Sequence, residues 1–192
     1  MTHATPSQPY VNNITTTGSA AIELQATATC LASLRTLLHG LNSATYCETL
    51  PLCFDSTIGA HTRHILDHYL CLLNGIDGQT INYDNRDRNL LLETCPQAAT
   101  TRLAATCKQL LALTDLFDKD PPTTVLNAIS VDEAIDETVT PVFSTLRREL
   151  RFLHSHTVHH LAIIRIMSGM LGLDVESHTG LSPATLQYRQ RP

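Results

Sequence analysis

Residues 144–172 read STLRRELRFLHSHTVHHLAIIRIMSGMLG. Leu146, Leu150, Leu153, Val158, Leu161, Ile164, Met167 and Leu171 recur at intervals of mostly three and four, so the stretch predicts one long amphipathic helix. Ser144 or Thr145 can cap its start, and Gly172 marks its stop. Four histidines fall within the seven positions 154–160. His156 and His160, four apart, aim both imidazoles at one point above the same face, whereas His159 lies about 100° round from His160. Such a pattern is either half of a metal site or a polar stripe rich in histidine.

Three more helices are legible upstream. From about Ser19 to Leu41, Ile22, Leu24, Ala28, Leu31, Leu34, Leu37, Leu38 and Leu41 keep a helical period, with Gly40 near the stop. Beyond Pro51, Ser56 can cap a second helix with the face Ile58, Ile65, Leu66, Tyr69, Leu72 and Leu73, ending at Asn74-Gly75. A charged loop, INYDNRDRN (81–89), follows. The third helix starts near Pro96 and runs through Ala99, Leu103, Cys107, Leu110, Leu111 and Leu113 to about Phe117. Asp120-Pro121-Pro122 breaks the chain, and TTVLNAISVDEAIDETVTP (123–141) has the β-branched content of a short hairpin or extended crossover. Together these segments predict an all-α fold, a four-helix bundle with a short crossover or hairpin between the third and fourth helices. Residues 1–17 read as a flexible leader, 18–176 as the bundle and 177–192 as a tail holding one capped turn at Ser182-Pro183.

Composition agrees with this class. With 192 residues and 43% hydrophobic content the chain can build one core, and with 8 glycines, no Trp and 5% aromatics it favours packed helices over a sandwich. A net charge of -5 argues against a nucleic-acid binder, and Arg147, Arg148 and Arg151 beside Glu149 read as a solvated helix face. The start of the chain lacks a basic segment followed by an apolar core, and no apolar run reaches the roughly 18 residues of a membrane span. Six scattered cysteines without CxxC spacing fit small buried thiols. A soluble, reduced, cytoplasmic protein is expected.

The second helix carries IGAHTRHILDHY (58–69), which places His61, His64 and His68 along one stripe with His64 in the middle. One ligand from this helix and two from the fourth would make a three-histidine site with open positions for water or substrate. An ion there could lower the pKa of a bound water or hold a thiol as thiolate. Spacing alone leaves the polar-stripe reading open, since HxxxH pairs arise by chance in a chain with ten histidines. Asp67, three residues after His64, can orient an imidazole or act as a base, or can sit on a solvated turn. Arg63, Arg86 and Arg88 can bind a substrate carboxylate if the 81–89 loop folds over the ion; otherwise the loop charges form a surface network. Neither a nucleophilic triad context nor a Gly-rich phosphate loop nor a zinc-ribbon cysteine pair is found.

STIGAHTRHILDHY (56–69) and HSHTVHHLAIIRIMSGMLG (154–172) resemble the second and closing helix signatures of the DinB-like superfamily, which includes YfiT-like metal hydrolases and the bacillithiol and mycothiol S-transferases. The resemblance spans about residues 19–172. It implies that His64, His156 and His160 hold a divalent cation, zinc or nickel foremost, with iron or manganese as alternatives. It also implies a homodimer and a small-molecule substrate, for which a thiol is one candidate, with hydrolysis or thiol transfer as the reaction types. YDNRDRNLLLET (83–94) and GLSPATLQYR (180–189) resemble a bacterial subgroup set apart from the thiol transferases. A non-catalytic metal-binding or stress-associated helical-bundle protein and a metal-free helical dimer are the competing expectations.

Overall fold

The computed structural model describes residues 19–114, 125–129, 142–189 and 191, and the chain is mostly helical. Helix α1 (Ser19–Leu38) buries Leu24, Ala28, Leu31, Leu34 and Leu38 along one stripe and stops before Gly40, whose φ of 89° suits glycine. Ile22, expected on the inner face, is instead exposed. A short helix α2 (Ser43–Tyr46), capped by Asn42, buries Tyr46, whose hydroxyl donates to the Leu92 carbonyl at 2.7 Å.

Helix α3 (Ile58–Gly75) carries the first histidine set. Its cap is Thr57, which accepts from the Ala60 N–H at 2.9 Å, and not the expected Ser56. Ser56 is engaged by its backbone, pairing with Leu50 in an isolated bridge. The helix ends where Gly75 lets the Thr80 carbonyl approach too closely for any Cβ. Strand β1 (Thr80–Asn82) follows, then α4 (Leu90–Thr94) and α5 (Pro96–Ala112), the latter with proline in its first turn. Helix α5 ends before the expected Phe117, which lies outside the described residues.

The predicted hairpin appears as β2 (Val125–Ile129) antiparallel to β3 (Val142–Thr145), with Val125 opposite Thr145 and Ala128 opposite Val142. The unforeseen element is β1, which pairs parallel to β2 and completes a three-stranded sheet in the order β1-β2-β3. Helix α6 (Leu146–Met170) starts directly from β3, capped by Thr145, one of the two residues expected there. Expected through to Gly172, it ends at Met170. A last helix α7 (Pro183–Arg189) gives the C-terminal segment more structure than a single turn. Gly180 brings that segment against the backbone of Ala162 on α6.

Helix α1 packs on α5 and α6, and α3 packs on the same two helices, so the four longest helices enclose the core formed by their apolar stripes. Tyr69 of α3 and Thr157 of α6 hydrogen-bond across that core at 2.7 Å. This contact fixes the facing edges of the two histidine-bearing helices.

Candidate metal centre

The histidines of HSHTVHH separate by face, as a helix requires. His154 turns toward α1, its Nδ1 3.7 Å from Cys30 Sγ. His159 is exposed, its ring 5.1 Å from that of His160. His156 and His160 face α3, with ring centroids 4.4 Å apart. Across from them His64 lies 4.9 Å from His156 and 4.6 Å from His160, and His68 lies 4.2 Å from His156.

One ligand atom each from His64, His68 and His156 lies within 4.8 Å of the others, a spacing that can hold a metal ion. Two features single out these imidazoles. His68 Nδ1 lies 2.8 Å from the His64 carbonyl, so it donates there and leaves Nε2 with its lone pair. His156 Nε2 is buried and lacks a hydrogen-bond partner among the described residues. An orphaned nitrogen of this kind fits a cation. His160 flanks the trio, its Nδ1 2.9 Å from Nδ1 of His61, so one of that pair carries the proton and the other accepts it.

The electrostatics keep these rings in their ligating form. Burial lowers His64 to about 2, with His68, His160, His156 and Arg86 adding repulsion. Burial likewise lowers His156 to about 4 and His160 to about 3, and it lowers His68 and His61 too. All are neutral near pH 7.

The model of the DinB superfamily matches residues 26–164, which carry all of these histidines. The chain belongs to the DinB superfamily. Among curated proteins it is 35% identical over 108 residues to a protein of Rhizopus delemar named FK506-binding protein 5, a match covering 56% of this chain. The chain spans about a quarter of that relative, 27% of its length.

The DinB-superfamily chain places the other sequence candidates less uniformly. His64, His156 and His160, the set implied by the motif match, are brought together, but His68 joins them with the tighter nitrogen geometry. The signal for His68 was its position four residues after His64, the same spacing that picked out His156 and His160. Asp67 contacts no imidazole by hydrogen bond; its Oδ2 accepts from Arg63 at 2.8 Å, and the orienting role falls to the His64 carbonyl. Burial raises the Asp67 carboxyl, against the lowering effect of Arg63. Arg63 also donates to Glu93 at 2.6 Å, so it bridges α3 to α4 and is not open to a substrate.

The loop after β1 folds over the His68 end of the DinB-superfamily site. Tyr83 stacks on His68 with centroids 5.6 Å apart, and its hydroxyl donates to the buried Glu149 at 2.9 Å. Ser144 donates to the other Glu149 oxygen. Neither anchor was foreseen, since a carboxylate beside three arginines reads as surface charge. Arg86 is half-buried and its charge acts on His64, His68 and His156, whereas Arg88 is exposed. On another face of α6 a cavity of about 660 Å³ lies between α1 and the C-terminal segment, lined by Cys30, His154, Val158, Leu161, Leu181 and Leu186. Burial raises the Cys30 thiol to about 11, so it is protonated and not a nucleophile near pH 7. All six cysteines are free. Among the described residues no helix is long and apolar enough to cross a membrane.

Proposed function

We propose that this four-helix bundle binds a divalent cation between α3 and α6 and uses it on a small molecule. The observation that carries the reading is the buried, unpartnered Nε2 of His156 inside a group of imidazoles with ligand spacing. His64 and His156 are the central ligands, with His68 on one flank and His160, implied by the family motif, on the other. An all-imidazole donor set suits zinc or nickel, then iron, better than magnesium or calcium. When bound, such an ion supplies Lewis acidity to a water or thiol.

The chain's own residues do the positioning. His68 presents Nε2 because its Nδ1–H is held by a backbone carbonyl; His61 can hold the outer nitrogen of His160 in the same way. Tyr83 covers one side of the site and limits water access there. Hydrolysis and thiol transfer both fit this arrangement. Free cysteines support a reducing, cytoplasmic setting, and a homodimer is the proposed assembly.

One observation favours a second reading, a non-catalytic metal-binding protein: a further imidazole, His160, flanks the trio of His64, His68 and His156, and a fourth ligand would complete a tetrahedral shell and close the site to substrate. Elemental analysis of untagged wild type, His64→Ala and His156→Ala tests the common part. Near-stoichiometric zinc, nickel or iron in wild type and its loss in both variants is expected. Wild-type protein that contains no metal, and takes up none when it is offered, overturns the proposal. Paramagnetic relaxation of water protons by the cobalt- or manganese-loaded protein then separates an open site, which has an exchangeable water, from a closed one.

A further inference from the structure

Among the described residues, the metal-centre reading leaves a half-buried cation near the site without an ion-pair partner. Arg63 is engaged by Asp67 and Glu93, Arg148 by Glu149, and Arg147 and Arg151 by Glu23. Arg86 forms no ion pair with the described residues, although it is half-buried. Arg88, two residues on, is exposed and takes a left-handed φ of 50°.

The loop that carries Arg86 is fastened to the histidine site. Tyr83 lies on the His68 ring, the Asn82 side chain accepts from the Asp84 and Asn85 N–H groups at 2.9 and 3.0 Å, and Cys71 Sγ of α3 reaches the Asn85 carbonyl at 3.9 Å. Arg86 follows directly, and its charge is felt by His64, His68, His156 and Asp67. Net charge does not choose the ligand, because Asp84 and Asp87 of the same loop act on His68 and Asp67, and Arg63 is shared between Asp67 and Glu93. Arg86 does, since it makes an ion pair with none of these carboxylates. A half-buried guanidinium beside this centre is complementary to a carboxylate, which it can take in two parallel hydrogen bonds.

We propose that Arg86 is the anion anchor of the site and that the substrate class is a small carboxylate that carries a second donor for the histidine cluster. This rests on the metal-centre reading. It assigns Arg86 and sets aside Arg63 and Arg88.

The test uses cobalt-loaded full-length protein, with mercaptoacetate and 2-mercaptoethanol as probes that share a thiol and differ in the carboxylate. Binding is read from the visible cobalt spectrum. In wild type, mercaptoacetate is expected to bind at least about tenfold tighter than 2-mercaptoethanol, a typical effect of a charge-assisted pair. Arg86→Gln is expected to erase that preference while cobalt uptake and 2-mercaptoethanol binding stay as in wild type; Arg88→Gln should keep it. Equal binding of both thiols by wild type, a preference that survives in Arg86→Gln, or equal weakening of both thiols by that variant overturns the assignment while the metal centre stands. Failure of wild type to take up cobalt overturns the metal centre and the anchor together.

Discussion

At the scale of single residues, Asp67 shows how burial changes the meaning of a charge. Its side chain is 0% exposed and, among the described residues, its carboxylate has one ion-pair partner, the Arg63 guanidinium, while Oδ1 lacks a hydrogen bond. Removing Arg63 leaves a buried carboxylate uncompensated, so Arg63→Ala is expected to cost about 3 kcal/mol or more in urea unfolding. Glu93→Ala, which removes a partner 28% exposed, should cost about 1 kcal/mol or less. Two glycines give opposite signs. A Cβ at Gly59 meets the Glu93 carbonyl, so Gly59→Ala should lose about 1–3 kcal/mol. Gly169, inside α6 with open space where its Cβ would go, should gain roughly 0.5–1 kcal/mol on change to Ala. Thermal melts of the two variants check both directions. The sequence separated His156 and His160 from His159 because helical phase alone does that. It could not say that His154 faces Cys30 or that His68 outranks its neighbours, because those facts depend on which helix lies opposite.

At the scale of elements, the long helices were legible because their apolar residues keep one period over about four turns or more. Their ends were less so. Ser56 and Thr57 are both good caps, and the choice between them is made by the Leu50 bridge, a contact with a residue six positions back. Thr145→Ala should remove the α6 cap and cost about 1 kcal/mol, seen as earlier fraying in hydrogen exchange of the first turn. Strand β1 was hidden, since three residues carry too little alternation to register and its partner β2 lies more than forty residues away. Glu149 was read as surface charge for a similar reason: its burial depends on Tyr83 and Ser144 arriving from two other elements.

For the whole molecule, the neutral histidine cluster links stability to acidity. Unfolded histidines take up protons near pH 6.5, whereas burial and the facing groups His68, His160, His156 and Arg86 keep folded His64 neutral, and His156 stays neutral down to about 4. The unfolded state therefore binds more protons across that interval, and metal-free protein should lose thermal stability steadily as pH falls from about 6.5 to 4. Asp67, raised by burial, acts in the opposite sense toward the acid end. A melting temperature equal at pH 7.5 and 5 would contradict this. Zinc at a hundredfold excess over its dissociation constant should add about 2.7 kcal/mol at pH 7.5, and a chelator should remove it.

The small sheet has a consequence for how the two halves of the histidine cluster find each other. Strand β1 trails α3 by a few residues, β3 leads into α6 without a linker, and β2 joins them. The three strands thus act as a phase lock: they set the angle at which α6 leaves the sheet, and with it the direction of every side chain along that helix. One residue added at the β3 to α6 junction would turn α6 by about 100° if nothing absorbed it, carrying His156 and His160 away from α3. Pairing geometry in a sheet of a dozen residues would thereby govern ligand alignment more than two helical turns away.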